Sequence, residues 1–326
     1  MASCTNFLRP NLLAAAIALA AGLAVGPAFG NITGTEDLTY FGMLGQGNTG
    51  ITVSNPDPIQ PNACVPTATA NGLTYLENYA NFVRDEPSPF TVTPNNYAAV
   101  NALATAMGTK DTLINGNDVG GTQTYPQFNG LQNYLSAGGA NPAPSVVISG
   151  QISPSETAGF LGTGPLQAGM NVANVTPTAT FLASALNAND AVEVGIEWGS
   201  YSGNVFTASG GAHELTLQSI NLGTGSGTIG FIDPWGNASS AGSTAASVSA
   251  TVTLEGDGFL YVTYPITWTG GDGDTNPGDA FGSGGQTGRI IDAAVQAVPE
   301  PTSLALLAIG IGGFALTARH RKVLAK

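Results

Sequence analysis

The chain has few of the residue types that most often carry chemistry. Only two cysteines and two histidines occur among its 326 residues. Cys4 and His320 lie near the two ends, so the body keeps one cysteine, Cys64, and one histidine, His213. A single cysteine excludes an intramolecular disulfide, and one cysteine with one histidine cannot supply a structural zinc cluster. The Cys64 thiol is therefore either buried and inert or reactive.

Basic residues are also scarce. Arg84, Lys110 and Arg289 are the basic residues of the body, and the whole chain has a formal net charge of −13 at pH 7. A surface of this charge repels nucleic acid and anionic lipid, which excludes DNA or RNA as a partner. The chain has 45 glycines and only 9% charged residues, a composition that suits exported β-containing proteins. We expect no cofactor.

The first 30 residues have the pattern of a secretory signal peptide. Arg9 precedes an almost unbroken apolar run from Leu12 to Val25, and Ala28-Phe29-Gly30 offers small residues at the cleavage positions. The run is short and lacks a basic stop, which disfavours a permanent anchor. We therefore expect a signal peptidase to remove residues 1–30 and the body to be exported.

The far end carries a second signal, over residues 298–326. A Pro-Glu-Pro triplet at 299–301 precedes an uncharged stretch from Thr302 to Ala318 and the basic cluster Arg319-His320-Arg321-Lys322. This order closely resembles the PEP-CTERM sorting signal of Gram-negative bacteria. The resemblance implies recognition by an exosortase-type membrane enzyme, transient anchoring in the inner membrane, and a final place at the cell surface or in extracellular matrix. About 17 apolar residues can just span a membrane, so a plain C-terminal transmembrane anchor is the alternative.

Cys64 is predicted to lie at the start of a helix. Pro66 is tolerated in a first helical turn, because its missing N–H would be unpaired there anyway. Unpaired backbone N–H groups and the positive end of the helix dipole favour the thiolate, which is the nucleophilic form of cysteine. The apolar positions beyond Pro66 recur at helical steps of three and four: Leu73, Leu76, Ala80 and Val83.

The remaining elements come as helices first and strands later, an order typical of an α+β domain. Alternating apolar residues predict strands, and three-to-four spacing predicts helices. Further helices are expected over residues 97–107, 128–135 and 178–186, and strands over 50–53, 145–149, 190–198, 212–221 and 228–233.

His213 begins one of these strands, and Asp233 ends its hairpin partner. Both therefore lie near the same end of the sheet, although a symmetric turn would place Asp233 opposite Leu217. Contact with His213 requires strand twist, a bulge or a final bend. Such a histidine could take the Cys64 proton, and the carboxylate could orient its ring. A structural histidine and a simple Asp-Pro-Trp-Gly turn are the alternatives.

Three blocks, at residues 62–76, 211–222 and 227–236, resemble papain-like cysteine peptidases related to the bacteriocin-processing, double-glycine leader peptidases. The resemblance spans roughly residues 57–240. It implies an α+β, papain-like fold in which N-terminal helices precede an antiparallel sheet that carries His213 and Asp233. By the same resemblance Cys64 is the nucleophile, His213 the general base and Asp233 its orienting partner, and Gln60 supplies an oxyanion donor beside the backbone N–H of Cys64.

Two positions depart from that family pattern. Gln60 lies closer to Cys64 than is usual, which leaves Asn62 as a substitute donor, and Val65 replaces the common glycine. The leading hypothesis is an exported, surface-sorted cysteine peptidase or amidase that hydrolyses peptide bonds of a peptide or protein substrate. A non-catalytic surface or matrix protein on a degenerate papain-like fold is the first alternative, and an unrelated β-rich adhesin is the second.

Residues 241–297 are predicted to form a separate extension of the peptidase domain at 31–240. Alternation over 248–254 and 259–268, with Asp257-Gly258 between them, predicts a β-hairpin. Whether this hairpin joins the same sheet is left open. A Gly/Asp-rich spacer follows, in which Asp272, Asp274 and Asp279 form a weak calcium candidate without the distal bidentate glutamate of calcium loops.

Overall fold

A computed structural model describes residues 31–46, 63–80, 97–109, 113–114, 117–118, 121–136, 146–156, 161–162, 164–236, 244–265 and 287–298. The predicted signal peptide, the strand at 50–53 and the sorting tail beyond residue 298 lie outside these residues.

Most of the helices come before most of the strands along the chain. The strands are β1 (Ile32–Thr35), β2 (Leu113–Ile114), β3 (Asn117–Asp118), β4 (Val147–Ile152), β5 (Asn171–Ala173), β6 (Ala191–Ser202), β7 (Val205–Leu222), β8 (Ser226–Asp233), β9 (Ala246–Leu254), β10 (Leu260–Thr263) and β11 (Thr287–Ala297). The α-helices with described bounds are α1 (Cys64–Ala80), α2 (Tyr97–Met107), α3 (Thr124–Ser136) and α4 (Ala179–Asn187).

Strands β6 to β11 close into a six-stranded antiparallel barrel. Each strand pairs with the next along the chain, and β11 pairs back with β6. Closure gives each of these six strands a neighbouring barrel strand on both sides. At the barrel's margins β1 pairs with the end of β7, β4 pairs with β11, and β5 adds to β4 in parallel.

The interior of the barrel is apolar because its strands alternate. On β6 the side chains of Val192, Val194, Ile196 and Trp198 belong to the interior cluster and are fully buried. Each such side chain stabilises the fold by roughly 1.5–3 kcal/mol relative to an exposed position. This core makes the barrel a rigid platform for residues on its strands.

Helices α1, α2 and α3 cover one outer side of the barrel. They form a second core that includes the fully buried Leu73, Leu103 and Phe128. Helix α1 lies directly on β7, where the Thr216 hydroxyl donates to the Ala68 carbonyl at 2.7 Å. The N-terminus of α1 is thereby fixed against the strand that carries His213.

The predicted helix boundaries agree with those observed to within one residue, except at the start of α3. Helix α2 has the predicted bounds, α4 is shifted by one residue with Thr178 as its N-cap, and α3 begins at Thr124 rather than at residue 128. The N-cap oxygen of Thr178 accepts from the Phe181 N–H at 3.2 Å. Such capping side chains are favoured just before a first turn, which explains the one-residue shift.

The boundary predicted at residue 240 does not divide the strands into two sheets, because strands on both sides of it belong to one barrel. The hairpin predicted in the later segment is present as β9 and β10, and β9 pairs with β8 along the whole of β8. Strand β11, which was not predicted, closes the ring against β6. The segment that we expected to be an extension therefore supplies three of the six barrel strands. The papain-like fold itself stays a prediction.

Candidate active site

Cys64 is the first residue of α1, as its spacing from the apolar helical positions predicts. The first helical hydrogen bond runs from the Thr67 N–H to the Ala63 carbonyl, at 3.1 Å. The sulfur is half-buried and accepts hydrogen bonds from the backbone N–H groups of Val65 and Glu214. A backbone donor in the first turn of α1 and a second donor on β7 suit a thiolate better than a thiol.

His213 lies on β7, opposite Ile196 of β6, and its side chain is buried. Its Nε2 atom is 2.9 Å from Oδ1 of Asp233. A carboxylate only accepts hydrogen bonds, so Nε2 carries the proton in this contact. The imidazole also forms a side-chain hydrogen bond with Cys64, and Nδ1 is the ring nitrogen left to make it. Cys64, His213 and Asp233 are thus brought together.

A bulge in β7 brings Asp233 toward His213. The register of β7 and β8 shifts between Leu217 and Ser219, so that Thr216 lies opposite Ile232. Asp233, one residue further, reaches the level of Leu215, whereas the register before the bulge would place it level with Thr216. Because alternate residues of a strand share a face, His213 projects to the same side as Leu215, and its ring spans the remaining distance.

Three donors surround the Asp233 carboxylate, which is fully buried. Besides the contact with His213, Oδ1 accepts from the Trp235 backbone N–H at 2.8 Å. The second oxygen, Oδ2, accepts from the Tyr264 hydroxyl at 2.6 Å. These donors occupy both oxygens of the buried carboxylate and fix its orientation beside the imidazole.

The electrostatics of the site favour separated charges on sulfur and imidazole. Burial acts to raise the pKa of Cys64, but the hydrogen bond and charge of His213, with the two backbone donors, lower the pKa below its ordinary 9.0. Burial acts to lower the pKa of His213, but the charge and hydrogen bond of Asp233, joined by those of Cys64, raise it to about 10. A thiolate beside an imidazolium can attack an electrophilic carbonyl carbon and then deliver a proton.

The predicted oxyanion and calcium residues lie outside the described part of the chain. These residues are Gln60 and its substitute Asn62, and the calcium candidates Asp272, Asp274 and Asp279. Among the residues that the structure does describe, no group of three or more His, Cys, Asp or Glu side chains could hold a metal ion.

Two functional neighbours were not predicted from the sequence. Tyr264 follows β10, in the segment that we predicted to be an extension of the peptidase domain, and no local motif connects it to Asp233. The Glu214 side chain, next to His213, accepts from Nε2 of Gln127 at 2.8 Å. The alternation of β7 could have indicated that Glu214 faces the helices, since Thr216 on the same face contacts α1.

A layer of buried carboxyl groups separates the helices from the barrel. Glu193 accepts from Gln296, Glu214 accepts from Gln127, and Thr124 donates to Glu156 at 2.5 Å. Burial raises the pKa of Glu193 to about 8 and that of Asp292 to about 7; burial followed by the charge of Asp292 raises the pKa of Glu156 to about 8. Burial therefore favours the protonated form of these acids, which limits negative charge behind Cys64.

The comparisons with known proteins concern the C-terminal end. A family model described as the PEP-CTERM protein-sorting motif matches residues 297–322. The predicted sorting signal is thereby confirmed, and the chain is an exported surface protein targeted by an exosortase-type enzyme. No curated protein and no solved structure matches the chain, and none of these findings supports membership of a papain-like peptidase family.

The membrane-spanning stretch expected at residues 302–318 lies outside the described residues. Within the described ones, no helix is long and apolar enough to cross a bilayer.

Proposed function

We propose that this surface-sorted protein is a cysteine-type peptidase or amidase with a papain-like arrangement of helix and barrel. One observation carries the proposal: a half-buried thiol at a helix N-terminus hydrogen-bonds to an imidazole whose Nε2 lies 2.9 Å from a buried carboxylate. Nucleophile, base and orienting group in that order are the components of covalent acyl transfer.

The proposed reaction proceeds through a thioester. The Cys64 thiolate attacks the amide carbonyl carbon, and the C–N bond breaks as the His213 imidazolium gives its proton to the leaving amine. Water then attacks the thioester carbon while His213 accepts a proton from it, and the C–S bond breaks to release the carboxylic acid and the thiolate. Asp233 keeps Nε2 protonated, so Nδ1 is the nitrogen that exchanges protons in both steps.

The tetrahedral intermediate needs donors for its oxyanion. The backbone N–H of Cys64 lies in the first turn of α1, where helix geometry provides no intrahelical acceptor. We propose this N–H as one donor, and Gln60 or Asn62 as the second. Loss of one such donor usually lowers kcat by about 100- to 1,000-fold.

Labelling with a peptidyl electrophile directed at thiol peptidases tests the proposal. Cys64 is the only cysteine after the signal peptide, so a label on the mature chain reports on this residue alone. We expect rapid stoichiometric labelling of the parent chain, none in Cys64→Ala, and a loss of at least about 100-fold in rate in His213→Ala.

Equal and slow labelling of the parent and His213→Ala chains would contradict the proposal. That result, together with no cleavage of an unstructured protein such as casein, would favour the non-catalytic surface protein or the adhesin. A screen of protein and peptide substrates by mass spectrometry then defines which bonds the parent chain cleaves.

A further inference from the structure

Tyr264 holds the Asp233 carboxylate on the side away from His213. Its hydroxyl donates to Oδ2 at 2.6 Å, while His213 and the Trp235 N–H contact Oδ1. The Tyr264 ring is fully buried between aromatic neighbours, with ring centroids 5.9 Å from Trp198 and 6.4 Å from Phe231. A ring enclosed by the barrel core has one hydroxyl position, so the donor is fixed in space.

We infer that Tyr264 is a positioning residue that keeps Oδ1 of Asp233 facing the His213 ring; its relevance to hydrolysis rests on the proposed function. The torsion at the end of an aspartate side chain is soft, and rotation would turn either oxygen away from the imidazole. A donor on each oxygen opposes that rotation. Charge-assisted hydrogen bonds of this kind are roughly twice as strong as neutral ones.

The phenol is suited to act only as a donor. Burial, then the charge of Asp233 and the hydrogen bond to it, raise the pKa of Tyr264 far above its ordinary value. The phenol therefore stays protonated over the whole pH range in which the thiol and the imidazole change charge. The other titratable group close to them is Glu214, whose carboxyl accepts from Gln127.

With Tyr264 included, the site extends past residue 240. Tyr264 directly follows β10, and β10 pairs with both β9 and β11. The hydroxyl is therefore placed by the strands that complete the barrel. The later strands would then be part of the catalytic unit rather than an accessory piece.

Tyr264→Phe in the full chain removes the hydroxyl and keeps the ring. Tyr261→Phe is a matched control, because the Tyr261 hydroxyl donates to Oδ2 of Asp257 at 2.7 Å, in a turn with no contact to the site. The readout is the titration of His213 by ¹⁵N NMR of histidine-labelled chain, in which His320 is the one other histidine. We expect the proton affinity of His213 to fall about three- to tenfold in Tyr264→Phe and to stay unchanged in Tyr261→Phe.

Identical His213 titrations in Tyr264→Phe and the parent would overturn the inference. If Tyr264→Phe does not fold, Trp198→Phe is the alternative variant, because it reduces the packing against the Tyr264 ring and keeps the hydroxyl. A fall in the proton affinity of His213 that is smaller than the one expected for Tyr264→Phe supports the inference. No fall overturns it. In hydrolysis, Tyr264→Phe should lower kcat with KM nearly unchanged. If the parent hydrolyses no substrate, but the His213 titrations of the parent and the two tyrosine variants are as expected, the proposed function is wrong and the positioning role of Tyr264 stands.

Discussion

Cys64 and His213 titrate as a pair, because the charge on each group changes the pKa of the other. The pKa of the thiol is lowered and that of the imidazole is raised to about 10, so the thiolate–imidazolium pair exists over a pH range that ends near 10. We predict that kcat/KM rises with pH as the thiol ionises below 9.0 and falls again as the imidazolium loses its proton near pH 10.

The pH dependence of alkylation provides the check on that pair. In His213→Ala the rate of Cys64 alkylation by iodoacetamide should follow a pKa higher than in the parent, because burial then acts without the imidazolium. Superimposable alkylation profiles in the two chains would show that the imidazole does not affect the thiol.

Asp233→Asn tests the carboxylate at nearly constant volume. The amide lacks the charge that raises the pKa of His213, so less imidazolium and less thiolate should be present at pH 6 to 7. We expect kcat/KM at pH 6 to fall about tenfold or more. Asp257→Asn is a close control, because Asp257 likewise accepts a backbone N–H two residues later and a tyrosine hydroxyl. An equal loss in both variants would contradict the role of Asp233.

The buried acids predict a protein that is more stable in mild acid. The folded-state pKa of Glu193, about 8, lies above its ordinary 4.5, so its contribution is fully present below about pH 4.5 and is lost as pH rises through 8. The free energy of unfolding, measured by urea denaturation, should fall between pH 5 and 8.5. Glu193→Gln should reduce that fall by on the order of 1–3 kcal/mol.

Glu255→Gln, at the hairpin turn, is the control for this prediction because its side chain is only half-buried. A Glu193→Gln chain whose stability falls with pH as steeply as the parent's would show that Glu193 does not carry the effect.

Residue type alone was enough to identify the three residues of the triad, but not the residue that supports them. Cys64, His213 and Asp233 were identified because a lone thiol, a lone body histidine and a strand-end aspartate have few competing residues in this sequence. Tyr264 is one of nine tyrosines, and its hydrogen bond to Asp233 joins residues 31 positions apart. Nothing local in the sequence distinguishes it from a core tyrosine.

Among the elements, α1 requires a glycine where it approaches β6. A Cβ added at Gly72 would overlap the Glu193 carboxylate. Gly72→Ala would ordinarily favour a helix, but here we expect it to destabilise the fold by about 1–3 kcal/mol and to slow labelling of Cys64, because either the fully buried Glu193 side chain or α1 must shift. Gly256→Ala, with open space around its Cβ, should change neither quantity. Stability from thermal unfolding and the labelling rate check both.

Element prediction succeeded where the pattern is local. Tyr97–Met107 has the predicted bounds because its apolar spacing defines the helix by itself. No comparable sequence pattern marks the β7 bulge between Leu217 and Ser219, although this bulge shifts Asp233 along β7 toward His213. Strand β11 follows a Gly/Asp-rich stretch, and its pairing with β6 joins residues roughly a hundred positions apart, which no window of sequence can show.

For the whole molecule, barrel closure implies that the later strands are needed for folding. Strand β9 pairs with β8, and β11 pairs with β6 and β10. A chain ending at residue 240 would expose two long strand edges and the apolar barrel interior. We predict that this truncated chain is insoluble or lacks cooperative thermal unfolding, whereas a chain ending at residue 298 unfolds cooperatively. A stable, probe-reactive chain ending at 240 would contradict the single-barrel account.

The sorting motif begins where the barrel ends. Strand β11 finishes at Ala297, and the motif covers residues 297–322. Ala297 is still paired with Val147 of β4, so hardly any spacer separates the barrel from the sorting segment.

Detection of an acyl group on the Cys64 sulfur shows whether this thiol acts as a nucleophile in acyl transfer. The parent chain, mixed with an activated ester or amide substrate and quenched in acid, is digested and the peptide containing Cys64 is weighed by mass spectrometry. We expect a thioester adduct in the parent that is absent from Cys64→Ala and at least about 100-fold slower to form in His213→Ala. An unmodified Cys64 with every substrate, and a thiol that reacts no faster than free cysteine, would contradict it.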